Sequence, residues 1–439
     1  MNLVILCLLL GFIMTSARGQ SINYTGSLDF VMMNFVRQKG MLHNCTMEHI
    51  SISKQIDTFA TRYILPFYFV FGSIGNVLNL CVLLTMNSEM SVANILFAGV
   101  ALADLSLLFT MTTTVVAAWP YFYTKNTMRW FFYHTHFLTV MLTNAFLCIS
   151  SWFVSAISIE RYLSIRDPIR IHRRRNYKWR VHLMIIGIII GSVALNWYHL
   201  FEYQYSYTRI CENKYLFGLI HPLEALQRHY PDVPGWLLRP ISISKMAHMI
   251  LAVFLPISLI AILNVRIIYM LKKSRRLIDA SQEHNFSRAV YRSTSTEDAR
   301  QRRDRKISIT VATIVSCYII THAPSVTPFI IEILKIDGPA WMKFYGNTVL
   351  TYWLLCGKVM NFVLFCLTSR SFRSRLRTFF KVRCDRLKIR FGLKIGKKFS
   401  NVSNSTGRVQ SLRLLSPIRD ASFTNPITPK DRKGRIRSV

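Results

Sequence analysis

The sequence predicts an all-α membrane protein: a seven-transmembrane helix bundle followed by a short amphipathic helix. Three observations carry this reading. Seven apolar runs are each long enough to cross a bilayer, which takes about 20 residues. Those runs together hold only three formal charges, Asp104, Arg266 and Lys358. The chain is 51% hydrophobic yet carries a net charge of +34, and that charge gathers on alternate loops. A soluble domain so charged would repel itself, whereas a membrane protein can segregate the charge to one side. Nucleic-acid binding does not fit apolar runs of this length. No HExxH, P-loop or paired-cysteine zinc spacing points to an enzyme, and no cofactor is implied.

The elements follow in order. Leu3–Met14 is apolar but too short to span, and Ala17-Arg18-Gly19 after it suits signal-peptidase cleavage, so residues 1–19 read as a signal peptide. A buried or interfacial segment is the alternative. Residues 20–62 form an N-terminal segment with no folded-domain pattern. The bundle occupies 63–367, with spans at Tyr63–Met86, Asn94–Ala118, Phe137–Ile159, Leu183–Leu200, Met246–Met270, Ile307–Ile331 and Phe344–Leu367. Helices are the sensible reading, because each satisfies its own backbone hydrogen bonds in lipid. Pro66, Pro256, Pro324 and Pro328 fall inside spans and predict kinks.

Orientation comes from the loops. Arg161, Arg166, Arg170, Arg173, Arg174 and Arg175 follow the third span, and Lys272, Lys273, Arg275 and Arg276 follow the fifth. The tail from Arg370 holds 20 Lys or Arg against Asp385, Asp420 and Asp431. The basic side is cytoplasmic, which puts the N-terminus outside and, after seven spans, the C-terminus inside the plasma membrane. The sequons at Asn23 and Asn44 then fall outside and are expected to be glycosylated.

Two loops are long. Residues 201–242 carry Tyr203, Tyr205, Tyr207 and Cys211, and residues 272–306 are polar and charged. Residues 368–382 form the amphipathic juxtamembrane helix, with Phe372, Leu376, Phe379 and Phe380 on one face and arginines between, suited to anionic membrane lipids. Cys384 is either a palmitoylation site or an ordinary reduced thiol. Residues 383–439 read as a disordered basic tail.

Glu160-Arg161-Tyr162 closes the third span. Taken with Gly75-Asn76, Leu102-Ala103-Asp104, Pro256 and Pro324 in order, it resembles the rhodopsin-like (class A) G-protein-coupled receptors over about residues 63–380. There are departures. His136 stands where the family has a helix-three cysteine, Thr321-His322-Ala323-Pro324 replaces Cys-Trp-x-Pro, and Asn361-Phe362-Val363-Leu364-Phe365 replaces Asn-Pro-x-x-Tyr. Gly357 through Leu367, with Asn144, Trp152 and Ala323-Pro324-Ser325, is similar to invertebrate, especially nematode, FMRFamide-type neuropeptide receptors.

The resemblance implies an extracellular peptide ligand, a heterotrimeric G protein as partner and arrestin after it, with Glu160, Arg161 and Tyr162 at the coupling end. Asp304, ahead of the sixth span, would pair with Arg161 at rest. Alternatives are a receptor for a small molecule, or a channel or transporter using Asp104 and Lys358. An opsin is disfavoured, because the retinal lysine of opsins corresponds here to Leu355 and Lys358 lies about one turn deeper.

Depth along the helices gives a further expectation. Asp104 is 10 residues into its span and Lys358 nine from the end of its own, so both lie about 14–15 Å from the cytoplasmic boundary. Asn76 and Ser150 fall in the same layer, and Asn361 is one turn from Lys358. In related receptors this layer holds a sodium ion; here the Lys358 ammonium would take its place in a buried ion pair with Asp104. The ligand is expected to touch His322, Glu332, Tyr352 and Trp353, with Glu332, Glu202 or Asp337 facing a basic peptide end. Cys45 and Cys211 are expected to form a disulfide, the alternative being free or intermolecular thiols. His134 and His136 read as polar rim residues rather than metal ligands.

Overall fold

The computed structural model describes residues 59–84, 92–166, 177–229, 235–284, 312–313, 315–327, 330–331, 340–368 and 370–390. Residues 1–19, expected to be a signal peptide, and Asn23, Asn44, Cys45, Asp304, Glu332 and Asp337 lie outside the described residues.

The protein is a seven-helix bundle. Five described helices are long and apolar enough to cross a membrane: helix one (Ala60–Leu84), helix two (Val92–Ala117), helix three (Asn126–Arg166), helix four (Trp179–Leu200) and helix five (Leu238–Lys273). Helix six is described in pieces between 312 and 331, and helix seven is Ala340–Thr368.

Helix three is the axis. Of its most apolar 18 residues 67% are buried, against 22% in helix four. The reason is lateral position: helix three packs on helices two, four and five, while helix four packs chiefly on helix three. Ile186 and Ile190 of helix four and Phe67, Phe71 and Ile74 of helix one are exposed apolar residues, the lipid-facing side of each helix. The main core joins Leu96, Val100, Phe153, Ile157, Ile260 and Tyr318 from helices two, three, five and six.

The helices depart from regularity beside Pro256 and Pro324, as the sequence expects, and at Met111, where it does not. A π-helical turn at Met249–Phe254 precedes Pro256, since a proline lacks the N–H that would close the normal turn. A 3-10 turn at Ala323–Val326 holds Pro324. Helix two is interrupted at Met111 between its two segments, where Thr110 donates to the Leu107 carbonyl at 2.7 Å and so competes with the helical ladder.

Helices three and five outrun their apolar runs the most. Helix three begins at Asn126 rather than near Phe137, because its first turns are amphipathic and hydropathy registers only the lipid-embedded part. The fifth helix continues to His284. The 201–242 loop contains strands β1 (Tyr203–Ile210) and β2 (Tyr215–Pro222), an antiparallel hairpin in the register Tyr203↔Pro222, followed by a helix at Leu223–His229. The juxtamembrane helix is Arg370–Arg390, longer than the 368–382 expected. Its Phe372 is buried and meets Phe362 of helix seven edge-on at 6.2 Å. Asp385–Val439 form a separate unit of which only the residues to 390, the end of this helix, are described.

Candidate functional site

At the centre of the bundle, helices two, three and seven each contribute a polar side chain to one buried layer. Asp104 and Ser150 are fully buried and Lys358 is 1% exposed. The Lys358 Nζ lies 3.2 Å from Asp104 Oδ1 and donates to Ser150 Oγ at 2.6 Å. Ser150 in turn donates to the same carboxylate oxygen at 3.0 Å, and Asn361 Nδ2 donates to Asp104 Oδ2 at 3.0 Å. Both carboxylate oxygens are therefore occupied, which a charge at this depth requires.

The layer extends toward helix six. The Lys358 ammonium stands 5.5 Å from the centre of the Tyr318 ring, within cation–π range. Tyr318 donates its hydroxyl to Ser151 and stacks on His322 with ring centres 3.6 Å apart. His322 sits one turn further along, with Nδ1 3.2 Å from Thr321 Oγ1 and its buried Nε2 without a hydrogen-bond partner. Asn76 shares the layer but donates to the Gly72 carbonyl of its own helix at 2.9 Å. Asn76, Asn79, Tyr318 and Asn361 line a cavity in which about 20 Å³ is open to the centre of a water molecule, room for about one.

At one end of the bundle, Arg161 Nε is 3.4 Å from Glu160 Oε2, and Ser164 donates to the other Glu160 oxygen at 3.3 Å. Tyr162 lies against Arg166 and, on the fifth helix, Arg266. Asn264 donates to Ser316 Oγ at 2.9 Å, joining helix five to helix six. Asp304 is outside the described residues.

At the opposite end the hairpin lies on helix three through aromatic rings. Phe137 stacks on Tyr205 at 4.8 Å, and His136 reaches the same ring at 6.1 Å. His134 stacks between Trp130, at 4.1 Å, and Tyr207, at 5.5 Å. Among the described residues no group of His, Cys, Asp or Glu could hold a metal ion. Tyr352 meets Thr61 Oγ1 at 3.0 Å, on the helix-one side. Trp353 follows it by one residue, hence about 100° around the helix, and stands 48% exposed with its indole donating to the Ile320 carbonyl at 3.3 Å.

Glu202 is not a free acid. Lys245 reaches it at 2.7 Å and His199 at 3.3 Å. Burial alone would raise its carboxyl pKa, but the bonds from His199 and Lys245 outweigh burial and hold it below the usual range. Glu332 and Asp337, the other acids expected to face a ligand, are outside the described residues, as are Cys45, Asn23 and Asn44. Cys384 is an exposed free thiol.

Sequence reasoning placed Asp104, Ser150, Lys358 and Asn361 in one layer but missed Tyr318 and Ser151. The spacing of Tyr318 four residues before His322, one helical turn, was the available signal for the first of these.

Residues 75–361 match the family described as the 7 transmembrane receptor (rhodopsin family). A Caenorhabditis elegans protein described as a G-protein coupled receptor, F59B2.13, is 27% identical over 321 residues, covering 71% of each chain. The mouse galanin receptor type 2 is 32% identical over 133 residues, 29% of this chain and 32% of that one. The crystal structure of squid rhodopsin superposes with a TM-score of 0.54 at 16% identity, covering 74% of this chain and 85% of the other.

Proposed function

This chain belongs to the rhodopsin family of seven-transmembrane receptors, and from that premise we propose that it is a plasma-membrane receptor for an FMRFamide-like neuropeptide. The chain is a multi-pass G-protein-coupled receptor and not an enzyme. In this reading the N-terminus and the β1–β2 hairpin are extracellular, and the Glu160-Arg161-Tyr162 end and the basic tail are cytoplasmic. A heterotrimeric G protein, and then arrestin, docks at that end.

The observation that carries the receptor reading is the family match across residues 75–361. The peptide reading is supported by the likeness of Gly357 through Leu367 to FMRFamide-type receptors and by the aromatic entrance of Tyr133, Phe137, Tyr205 and Tyr352. The ligand acts by binding one arrangement of the helices more tightly than the other. With Glu202 held by Lys245 and His199, Glu332 and Asp337 are the acids left to meet a basic peptide end. His322, whose Nε2 has no hydrogen-bond partner, is the deepest ligand contact in this reading.

At rest, Arg161 is restrained by Glu160 and, across the G-protein cleft, by Asp304. A disulfide between Cys45 and Cys211 ties the N-terminal segment to the hairpin; it is supported by Cys211 being disulfide-bonded while Cys81, Cys148, Cys317, Cys356, Cys366 and Cys384 are not. Lys358 takes the place of a sodium ion beside Asp104.

A panel of amidated neuropeptides applied to cells expressing the chain, followed by nucleotide exchange on a purified G protein, tests the reading. An Arg-Phe-amide peptide is expected to trigger exchange, and Glu332→Gln to weaken its potency. Response to a non-peptide ligand alone would contradict the peptide assignment.

A further inference from the structure

The hairpin rests on helix three with no covalent bond between them. The one cysteine of helix three, Cys148, is a free thiol. Beside the ring contacts of His134, His136 and Phe137 with β1, three side chains seat β2, at positions 126, 129 and 133, which one face of a helix presents in succession.

Asn126 meets β2 as the backbone of another strand would. Its Nδ2 donates to the Lys214 carbonyl at 2.9 Å, and its Oδ1 accepts the Leu216 N–H at 2.9 Å. Arg129 is fully buried, donates Nε to the Leu216 carbonyl and donates Nη1 to the Tyr123 carbonyl at 3.0 Å. It thereby joins the hairpin to the turn that leads into helix three. Tyr133 lies flat against the strand at Gly218, where a Cβ would stand 3.1 Å from its ring, so only glycine lets the ring approach this closely. The Tyr133 ring also meets Tyr205 at 5.2 Å.

We propose that Asn126, Arg129 and Tyr133 are positioning residues that fix the β1–β2 hairpin on helix three without a covalent link, leaving the Cys211 disulfide to hold a different segment. Helix three also carries Ser150 and Arg161, so a push on the hairpin is delivered to the helix that runs through both the buried layer and the Glu160-Arg161 end. This inference does not depend on which ligand the receptor takes.

Hydrogen exchange on the full chain in lipid nanodiscs tests it without a ligand. The Leu216 amide proton goes to Asn126, so its exchange is the direct reporter. In Asn126→Ala, exchange at Leu216 is expected to rise at least tenfold while Val154 and Ile157 in helix three are unchanged. Asn126→Asp keeps an acceptor for the Leu216 N–H and should keep its protection. Reducing the Cys211 disulfide in the unmodified chain should leave Leu216 protected. Arg129→Met should loosen Tyr215–Pro222 as a whole; if that variant does not accumulate, the exposed Asn126 position still decides. Unchanged Leu216 exchange in Asn126→Ala, or release of the hairpin by reduction alone, would overturn the proposal.

Discussion

Lys358 and Asp104 illustrate how a residue-level cost becomes a structural commitment. An isolated charge at mid-bilayer costs about 2.5–3.5 kcal/mol on insertion scales, so neither residue is tolerable without the other. Lys358→Met leaves Asp104 with Ser150 and Asn361 as partners but no counter-charge, and surface expression is expected to fall. Gly357, the preceding residue, has a different constraint. A Cβ there would lie 2.5 Å from Thr321 Oγ1, and that hydroxyl is held by the Cys317 and Tyr318 carbonyls at 3.0 and 3.1 Å. Gly357→Ala should therefore destabilise the helix six–seven contact by about 1–3 kcal/mol, the usual cost of overpacking. A thermal melt of the purified protein checks this, and Thr321→Ala on the same background should restore only part of the loss, because the Cβ at 321 would still stand 2.7 Å away.

How much of the site was legible in the sequence also divides by residue. Asp104, Ser150 and Lys358 were placed in one layer by counting, because rise per residue is fixed in a helix and depth survives without knowledge of rotation. The Lys358–Tyr318 contact was not, because it depends on how helix six is rotated against helix seven. Gly75, noted only as part of a motif, has a packing reason: a Cβ there would stand 2.8 Å from Phe362.

At the level of elements, the apolar runs marked where helices cross lipid but not where helices end. Helix three starts 11 residues before its predicted run, at Asn126 rather than Phe137. The hairpin had a signal in Tyr203, Tyr205 and Tyr207, alternating as a strand alternates its faces. It lacked the usual turn punctuation, because Cys211, Glu212 and Asn213 take φ of 57°, 53° and 64° without a glycine. Beside β1, Glu202 links the end of helix four to Lys245 of helix five. Its carboxyl is held below the ordinary range, so the stability it contributes is present above that range and lost as pH falls through its lowered value. The unmodified chain should lose melting temperature as pH drops below the usual carboxylate range of about 4. Glu202→Gln should be less stable at neutral pH and flatter across that window. Parallel pH profiles of the two chains would refute the link.

Considered whole, the bundle turns its periphery to lipid and strings three of its polar clusters along the axis of helix three. Arg161 marks one end of that helix, Ser150 its middle and Asn126 the other end. Fold class was readable from the sequence because hydropathy and length are enough to define membrane helices. The hairpin's seat on helix three was not, because it rests on side chains far apart in the chain. With both Asp104 oxygens already bonded, melting temperature should be the same in sodium chloride and in a bulky organic chloride at matched ionic strength. A sodium-specific stabilisation would mean that the cation competes with Lys358.

The buried pair that joins helices two and seven through Ser150 of helix three is most directly tested by a double-mutant cycle, read as the melting temperature of the purified receptor in nanodiscs. Asp104→Asn and Lys358→Met should each lower it, and the combined variant should melt above the sum of the two losses, because neither charge is then stranded. Strictly additive losses would show that Asp104 and Lys358 act independently and that the ion pair does not hold the bundle.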